Sequence, residues 1–230
     1  MKVFKNENQA LELATENLNL LLKNFENKEI LLMISGGSAL KLLEGVRGEF
    51  LNKKVTITTL DERFTTDSQI NNFFQMTNTR FFTEAKAVGC TFWETVPLEN
   101  DPIDDFATRV ELNLKNWRKN YPEGVIITTQ GIGQDGHTAG IMPFPENPQL
   151  FTRMFEGESW VIGYDAGKKN PYSKRVTTTL TFLRQQVDYS IVYAVGKETI
   201  IKRLQKKEES AASLPSMVFY EMKNVSLFTD

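Results

Sequence analysis

Apolar residues fall along this chain in two rhythms, and the alternation between them predicts the fold. Over residues 6–24, Ala10, Leu11, Leu13, Ala14, Leu18, Leu21 and Leu22 recur at the spacing that lines one face of a helix. Ile30–Ser35 is instead a short apolar run, broken by Ser35-Gly36-Gly37-Ser38, and reads as a buried strand. Ala39–Val46 reads as a helix. Val55–Leu60 gives the next strand, ending at Asp61-Glu62-Arg63, and a helix covers residues 70–84. Thr91–Glu94 reads as a short strand, and Pro102–Lys119 as a helix with proline in its first turn. Val125–Thr129, Trp160–Tyr164, Arg175–Leu180 and Ser190–Val195 read as strands, the third rich in β-branched residues. A Lys-rich helix follows over 197–208. Short strands alternating with helices predict an α/β fold, a mostly parallel sheet flanked by helices in three layers.

The 230 residues carry no internal repeat and no low-complexity linker, so 1–230 is expected to be a single domain. At 40% hydrophobic residues the chain has enough apolar mass for a sizeable core. A net charge of −2 gives no argument for nucleic-acid binding. Cys90, the sole cysteine, cannot close an internal disulfide, which points to a reducing compartment. With one histidine as well, the chain has too few ligands for a structural zinc site, and no metal is expected. The polar start MKVFKNENQ has no signal-peptide core. The longest apolar run near it, Ile30–Ile34, is far short of the ~20 residues a bilayer requires. These features predict a cytoplasmic protein without membrane or nucleic-acid partners, a monomer or weak homo-oligomer.

Three predicted strand ends carry polar clusters, and in a parallel sheet they share one edge. Glycines in Ser35-Gly36-Gly37-Ser38 let backbone N–H groups approach an anion, and the following helix adds its positive end. The structural alternative is a tight strand-to-helix turn. Asp61-Glu62-Arg63 is either a solvated charge cluster or a guanidinium pre-oriented by carboxylates to hold a ligand oxygen. In Gly131-Ile132-Gly133-Gln134-Asp135-Gly136-His137-Thr138, three glycines allow a tight loop. Asp135 can orient the imidazole and fix its tautomer, which makes His137 a candidate general base. Otherwise His137 satisfies loop carbonyls. A dinucleotide fingerprint would open a helix early in a βαβ unit, and here Asp and His crowd the space of a pyrophosphate, so no nicotinamide cofactor is expected. Arg175 opens a strand, and would complete an anion pocket if the chain brings it opposite Ser35–Ser38.

Taken together these motifs resemble a known family. The run GIGQDGHTAGIMPF is similar to the Gly-Asp-Gly-His-Thr signature of 6-phosphogluconolactonases. ISGGSALKLL resembles that family's first Gly-Gly loop, LDERF its Asp-Glu-Arg motif, and NPYSKRVTTTL its Arg-x-Thr strand. VYAVGKETIIKRL resembles the late strand–Gly–helix, and Leu214-Pro215-Ser216 the short segment near the end. The resemblance implies a Rossmann-like fold related to glucosamine-6-phosphate isomerases and cofactor-free opening of 6-phosphoglucono-δ-lactone to 6-phosphogluconate, in the oxidative pentose phosphate pathway. It implies that His137 takes a proton from the attacking water and that Asp135 orients it. Ser35, Gly36, Gly37, Ser38 and Arg175 would hold the phosphate. Asp61 and Arg63 would line the sugar-ring side, with Asn72, Gly133 and Thr138 also near the substrate.

The chain departs from the pattern in places. Gly-Gly-x-Thr-Pro is here Gly36-Gly37-Ser38-Ala39-Leu40, and the Lys usual three positions after the late Gly is Thr199, with Lys197 and Lys202 as out-of-register candidates to replace it. Two other readings stand beside the lactonase. One is a sugar-phosphate isomerase or deaminase, whose members tend to carry Asp-Glu-Tyr and His-Ile where this chain has Asp61-Glu62-Arg63 and His137-Thr138. The other is a non-catalytic sugar-phosphate sensor.

Overall fold

The computed structural model describes residues 1–6 and 8–230. Among these, β1 (Lys2–Lys5), β2 (Ile30–Ile34), β3 (Val55–Thr59), β5 (Thr91–Phe92), β6 (Val125–Gly131), β9 (Tyr189–Tyr193) and β10 (Asn224–Thr229) build one seven-stranded sheet. Its order is β1-β10-β9-β6-β2-β3-β5, and every neighbouring pair is parallel. From β2 the chain builds outward to β3 and β5, then returns to β2's other side to lay down β6, β9 and β10. The order therefore reverses between β2 and β6, and a crevice opens beyond the carboxyl ends of strands at such a point.

The apolar run of β2 shows why the sheet is central. Ile30, Leu32 and Ile34 pack on one face with Ala14, Leu18 and Leu22 of α1 (Ala10–Asn24). Leu31 and Met33 pack on the other with Phe106, Leu114 and Trp117 of α4 (Ile103–Asn120). A strand buried on both faces has no polar positions to spare, which is why it reads as a continuous run. Each such side chain contributes ~1.5–3 kcal/mol on burial.

A second sheet lies on the α4 side: β4 (Asp61–Arg63), β8 (Lys174–Thr178) and β7 (Val161–Asp165), antiparallel in the order β4-β8-β7. The segments expected as strands at Trp160–Tyr164 and Arg175–Leu180 are thus strands, but not of the parallel sheet. The second ends early because the Thr179 hydroxyl accepts from Phe182 N (3.2 Å) and caps α6 (Leu180–Gln186). The helix expected over 70–84 is two helices, α2 (Asn72–Thr77) and α3 (Arg80–Ala87). Thr79 divides them: its hydroxyl donates to Met76 O (2.7 Å) and accepts from Phe82 N (3.2 Å). The helix expected over 39–46 is a 3-10 helix, Gly37–Gly45, two of whose carbonyls accept bonds from the α1 side chains Thr15 and Asn19. α5 (Pro148–Phe155), not expected from the sequence, starts with Pro148 in its first turn and is capped by Asn147, whose side chain accepts from Leu150 N–H (3.0 Å). α7 (Glu198–Lys206) follows β9. No helix among the described residues is long and apolar enough to cross a membrane.

Candidate active site

The crevice at the β2/β6 reversal is an open cleft of about 600 Å³. Ser35–Ser38 line it after β2, Gly131–Gln134 and His137 after β6, and Val195–Lys197 after β9. The small sheet closes one side with Asp61, Arg63 and Arg175. Asn72 also lines it, so clusters far apart in sequence converge as the strand-end argument requires. Asp135 and Thr138 do not line it. The expectation that Thr138 contacts a ligand meets a different geometry: it is 1% exposed, and its hydroxyl faces Gln130 Oε1 (3.0 Å) and Gly131 O (2.9 Å). Gln130 in turn donates to Thr128 and Ser190. Thr138 therefore pins the loop to β6 through a buried polar network.

The imidazole of His137 is partly exposed, its Nδ1 2.6 Å from Asp135 Oδ1. The same oxygen accepts the His137 backbone N–H at 3.1 Å. With Nδ1–H donating to the carboxylate, Nε2 keeps its lone pair and has no partner among the described residues. Burial pushes the Asp135 carboxyl upward, but the hydrogen bonds and charge of His137 outweigh it and hold its pKa below the ordinary value. The carboxylate is thus ionised wherever an imidazole can act as a base. Gly133 makes the arrangement possible, since a Cβ there would overlap both the imidazole and the Asp135 carboxylate.

Arg63 and Arg175 are paired residues of β4 and β8, so their side chains leave the same face. Like charges directly opposite repel. Arg175 is only 3% exposed, and Asp61 Oδ2, 3.5 Å from its Nη1, offsets part of its charge. Ser35 Oγ donates to the other Asp61 oxygen at 3.3 Å, tying the glycine bend to this ion pair. Arg63 donates to Ile70 O (2.8 Å) and lies over the ring of Tyr172, 5.7 Å from its centroid. The Nε–H groups of both arginines are buried with no acceptor among the described residues. Two neighbouring guanidiniums facing one cleft, only one of them paired with a carboxylate, form a site suited to an anion.

Asn72 acts as a spacer. Its Nδ2 donates to Asp61 O (2.9 Å), while its buried Oδ1 rests against Gly36. Glu62 braces the same region from behind the cleft, accepting from the backbone N–H groups of Arg63 (2.8 Å), Asn72 (2.6 Å) and Phe73 (3.0 Å). Burial pushes its carboxyl from 4.5 up to about 8, against the pull of those donors. A carboxyl raised on folding stabilises the folded chain fully below its unfolded pKa and loses that contribution as pH rises through the folded one. Thermal stability is expected to fall between pH 5 and pH 8, and Glu62→Gln to flatten that slope in calorimetric melts across the range.

Among the lining residues outside the site expected from the sequence are Tyr172 and Lys197. Tyr172 sits in the rim Asn170–Tyr172, where only its neighbour Arg175 drew attention. Lys197 lines the cleft just before α7, whereas Thr199 does not. Lys202 is turned aside in a pair with Glu198 at 2.8 Å. Lys197 has no ion-pair partner among the described residues.

The model of the family described as "Glucosamine-6-phosphate isomerases/6-phosphogluconolactonase" matches residues 5–228. No curated protein matches the chain by sequence. Among solved structures, a 6-phosphogluconolactonase from Shewanella baltica superimposes with a TM-score of 0.77 at 16% identity, over 99% of this chain and 96% of that one. One from Thermotoga maritima gives 0.76 at 21% identity, over 99% and 98%. One from Trypanosoma brucei gives 0.73 at 16% identity, over 100% and 95%. At these identities the likeness is one of fold. The family match over nearly the whole length carries the assignment: the chain belongs to the glucosamine-6-phosphate isomerase/6-phosphogluconolactonase family.

Proposed function

We propose that this chain hydrolyses 6-phosphoglucono-δ-lactone to 6-phosphogluconate, with no cofactor. One observation carries the reading: a carboxylate-oriented imidazole with a free Nε2 lines the same cleft as a glycine bend and two register-matched arginines. Water bound at Nε2 attacks the lactone carbonyl carbon and gives its proton to His137. Asp135 stabilises the imidazolium that forms. The tetrahedral intermediate collapses by breaking the bond between the carbonyl carbon and the ring oxygen. The imidazolium then returns the proton to that oxygen, which leaves as a hydroxyl. Arg63 and Asp61 are placed on the sugar-ring side. The Ser35–Ser38 bend and Arg175 hold the phosphate, whose binding energy orients the ring.

Lys197 extends this anion grip, being a cleft cation without an internal partner. Lys197→Ala is expected to raise KM for the phosphorylated lactone by roughly tenfold or less, with kcat unchanged, because the side chain is only partly buried. Steady-state kinetics over a range of substrate concentrations check this.

The assay that tests the function is acid release from freshly generated 6-phosphoglucono-δ-lactone, with spontaneous opening subtracted. The reading predicts a large enzyme-dependent rate and no ammonia from glucosamine 6-phosphate. Ammonia release without lactone opening would place the chain in the isomerase branch. Ligand-induced stabilisation without any turnover would make it a sensor.

A further inference from the structure

The Leu214-Pro215-Ser216 segment lies outside the cleft lining, yet it touches the turn that carries the imidazole. Gly136, between Asp135 and His137, has φ +89°, and a Cβ on it would overlap Leu214 Cδ1. Leu214 is fully buried, so its side chain is wedged directly against the backbone of this turn. One turn further on, Ser216 N–H donates to Gly136 O at 3.1 Å. The turn has its own cross-links: Gly136 N–H donates to Gly133 O (3.0 Å) and Gly133 N–H to His137 O (2.8 Å). Just upstream, Ala212 O accepts from Phe144 N–H (2.7 Å), at the far end of the loop that starts at Gly131. The segment thus meets the loop at two places, Gly136 and Phe144. The chain leading into it is anchored too: Arg203 of α7 grips Glu209 through two hydrogen bonds, at 2.7 and 2.6 Å, and Leu214 N–H donates to Ser210 O at 2.9 Å.

We propose that Leu214 and Ser216 are positioning residues: they press on the Asp135–His137 turn from behind and set the place of Nε2 in the cleft. Asp135 fixes which nitrogen is bare, but it sits on the same turn and moves with it. Something outside the turn must fix the turn itself, and the segment 212–216 supplies contacts to its backbone from some eighty residues downstream. Shortening Leu214 leaves a space behind Gly136 into which the turn can sink. A displacement of about 1 Å at a reacting group can cost on the order of 100-fold in rate. The catalytic part of the inference rests on the proposed lactonase reading.

The test compares Leu214→Ala, Leu214→Val and Leu214→Met in the full chain. It reads kcat and KM on the lactone, the dissociation constant for inorganic phosphate, and the ¹⁵N spectrum of the imidazole. His137 is the only histidine, so that spectrum needs no assignment. Leu214→Ala is expected to lower kcat per folded molecule by roughly tenfold or more. It should also perturb the imidazole nitrogens and leave phosphate affinity within about twofold, with Leu214→Met restoring most of the rate. Leu214→Val, which removes less volume, gives the same pattern more weakly and serves if the alanine variant does not fold. A loss of melting temperature with kcat and the imidazole spectrum unchanged would overturn the proposal, as would parallel loss of phosphate affinity and rate. Should the wild-type chain fail to open the lactone, the lactonase reading falls. The imidazole response to Leu214 would still decide whether the segment positions the turn.

Discussion

His137→Ala is expected to fold as the wild type does, weaken 6-phosphogluconate binding by only a few-fold, and lose ~10²–10⁴-fold in kcat. The side chain sits at the cleft surface, partly exposed and bonded only to Asp135, so its removal unpacks no core. The loss falls on kcat because the general base acts on water, and its proton transfer develops only in the transition state. Asp135→Asn tests the same machinery more finely. An amide at that position can offer an N–H to Nδ1, which would move the ring proton to Nε2 and block it as a base. Its kcat should therefore drop nearly as far as that of His137→Ala, although the imidazole is still present. Single-turnover kinetics with both variants, alongside calorimetric binding of 6-phosphogluconate, separate lost chemistry from lost binding.

Arg175→Met carries the second large effect, and it falls on binding and stability together. The guanidinium is almost fully buried beside Asp61, so its removal leaves a buried carboxylate without its cation. Breaking a buried pair from one side costs on the order of 3–5 kcal/mol, and the variant's denaturation midpoint should drop accordingly. Phosphate affinity should weaken by about 100-fold or more, since a charge-assisted forked contact is lost. Arg175→Lys should recover much of the stability but little of the affinity, because an ammonium cannot present the planar fork. Activity on an unphosphorylated lactone should barely respond to either change. Denaturant titrations and inhibition by inorganic phosphate check the two halves of this expectation.

How much of the molecule can be read from the chain depends on what kind of force places each part. β2 is legible as an unbroken apolar run, and β3, β6 and β9 as short segments rich in Val, Ile, Thr and Tyr, because strands buried on both faces favour such residues. β1 is not, since all four of its residues are exposed and only its pairing with β10 makes it a strand. β4 is three charged residues, Asp61-Glu62-Arg63, and no hydropathy pattern marks a strand there; its partner β8 does so. That pairing also decides the site. Arg175 looks like a surface charge at a strand opening, and only the antiparallel register with β4 sets it beside Arg63 and Asp61. Local hydrogen-bond chemistry accounts for other differences: Thr79 splits one expected helix in two, and Thr179 turns a strand end into a helix start. At the cleft, residues joined by short spacing, such as Asp135 and His137, are visible in sequence. Tyr172 carries no such signal, and tertiary structure alone decides that Lys197 rather than Lys202 lines the cleft and that Leu214–Ser216 backs the imidazole's turn. Thr138 adjoins the imidazole in sequence but faces the opposite way in space.

The imidazole and the anion grip should share one ligand. The ¹⁵N spectrum of uniformly labelled protein, titrated with 6-phosphogluconate, tests this most directly, because the single histidine gives one pair of ring signals. Nδ1 is expected to stay protonated and bonded to Asp135. Nε2 should shift as the ligand saturates, and Arg175→Met should move that shift to far higher ligand concentration. Binding that leaves both ring nitrogens unmoved, or an Nε2–H tautomer in the free protein, would contradict this arrangement.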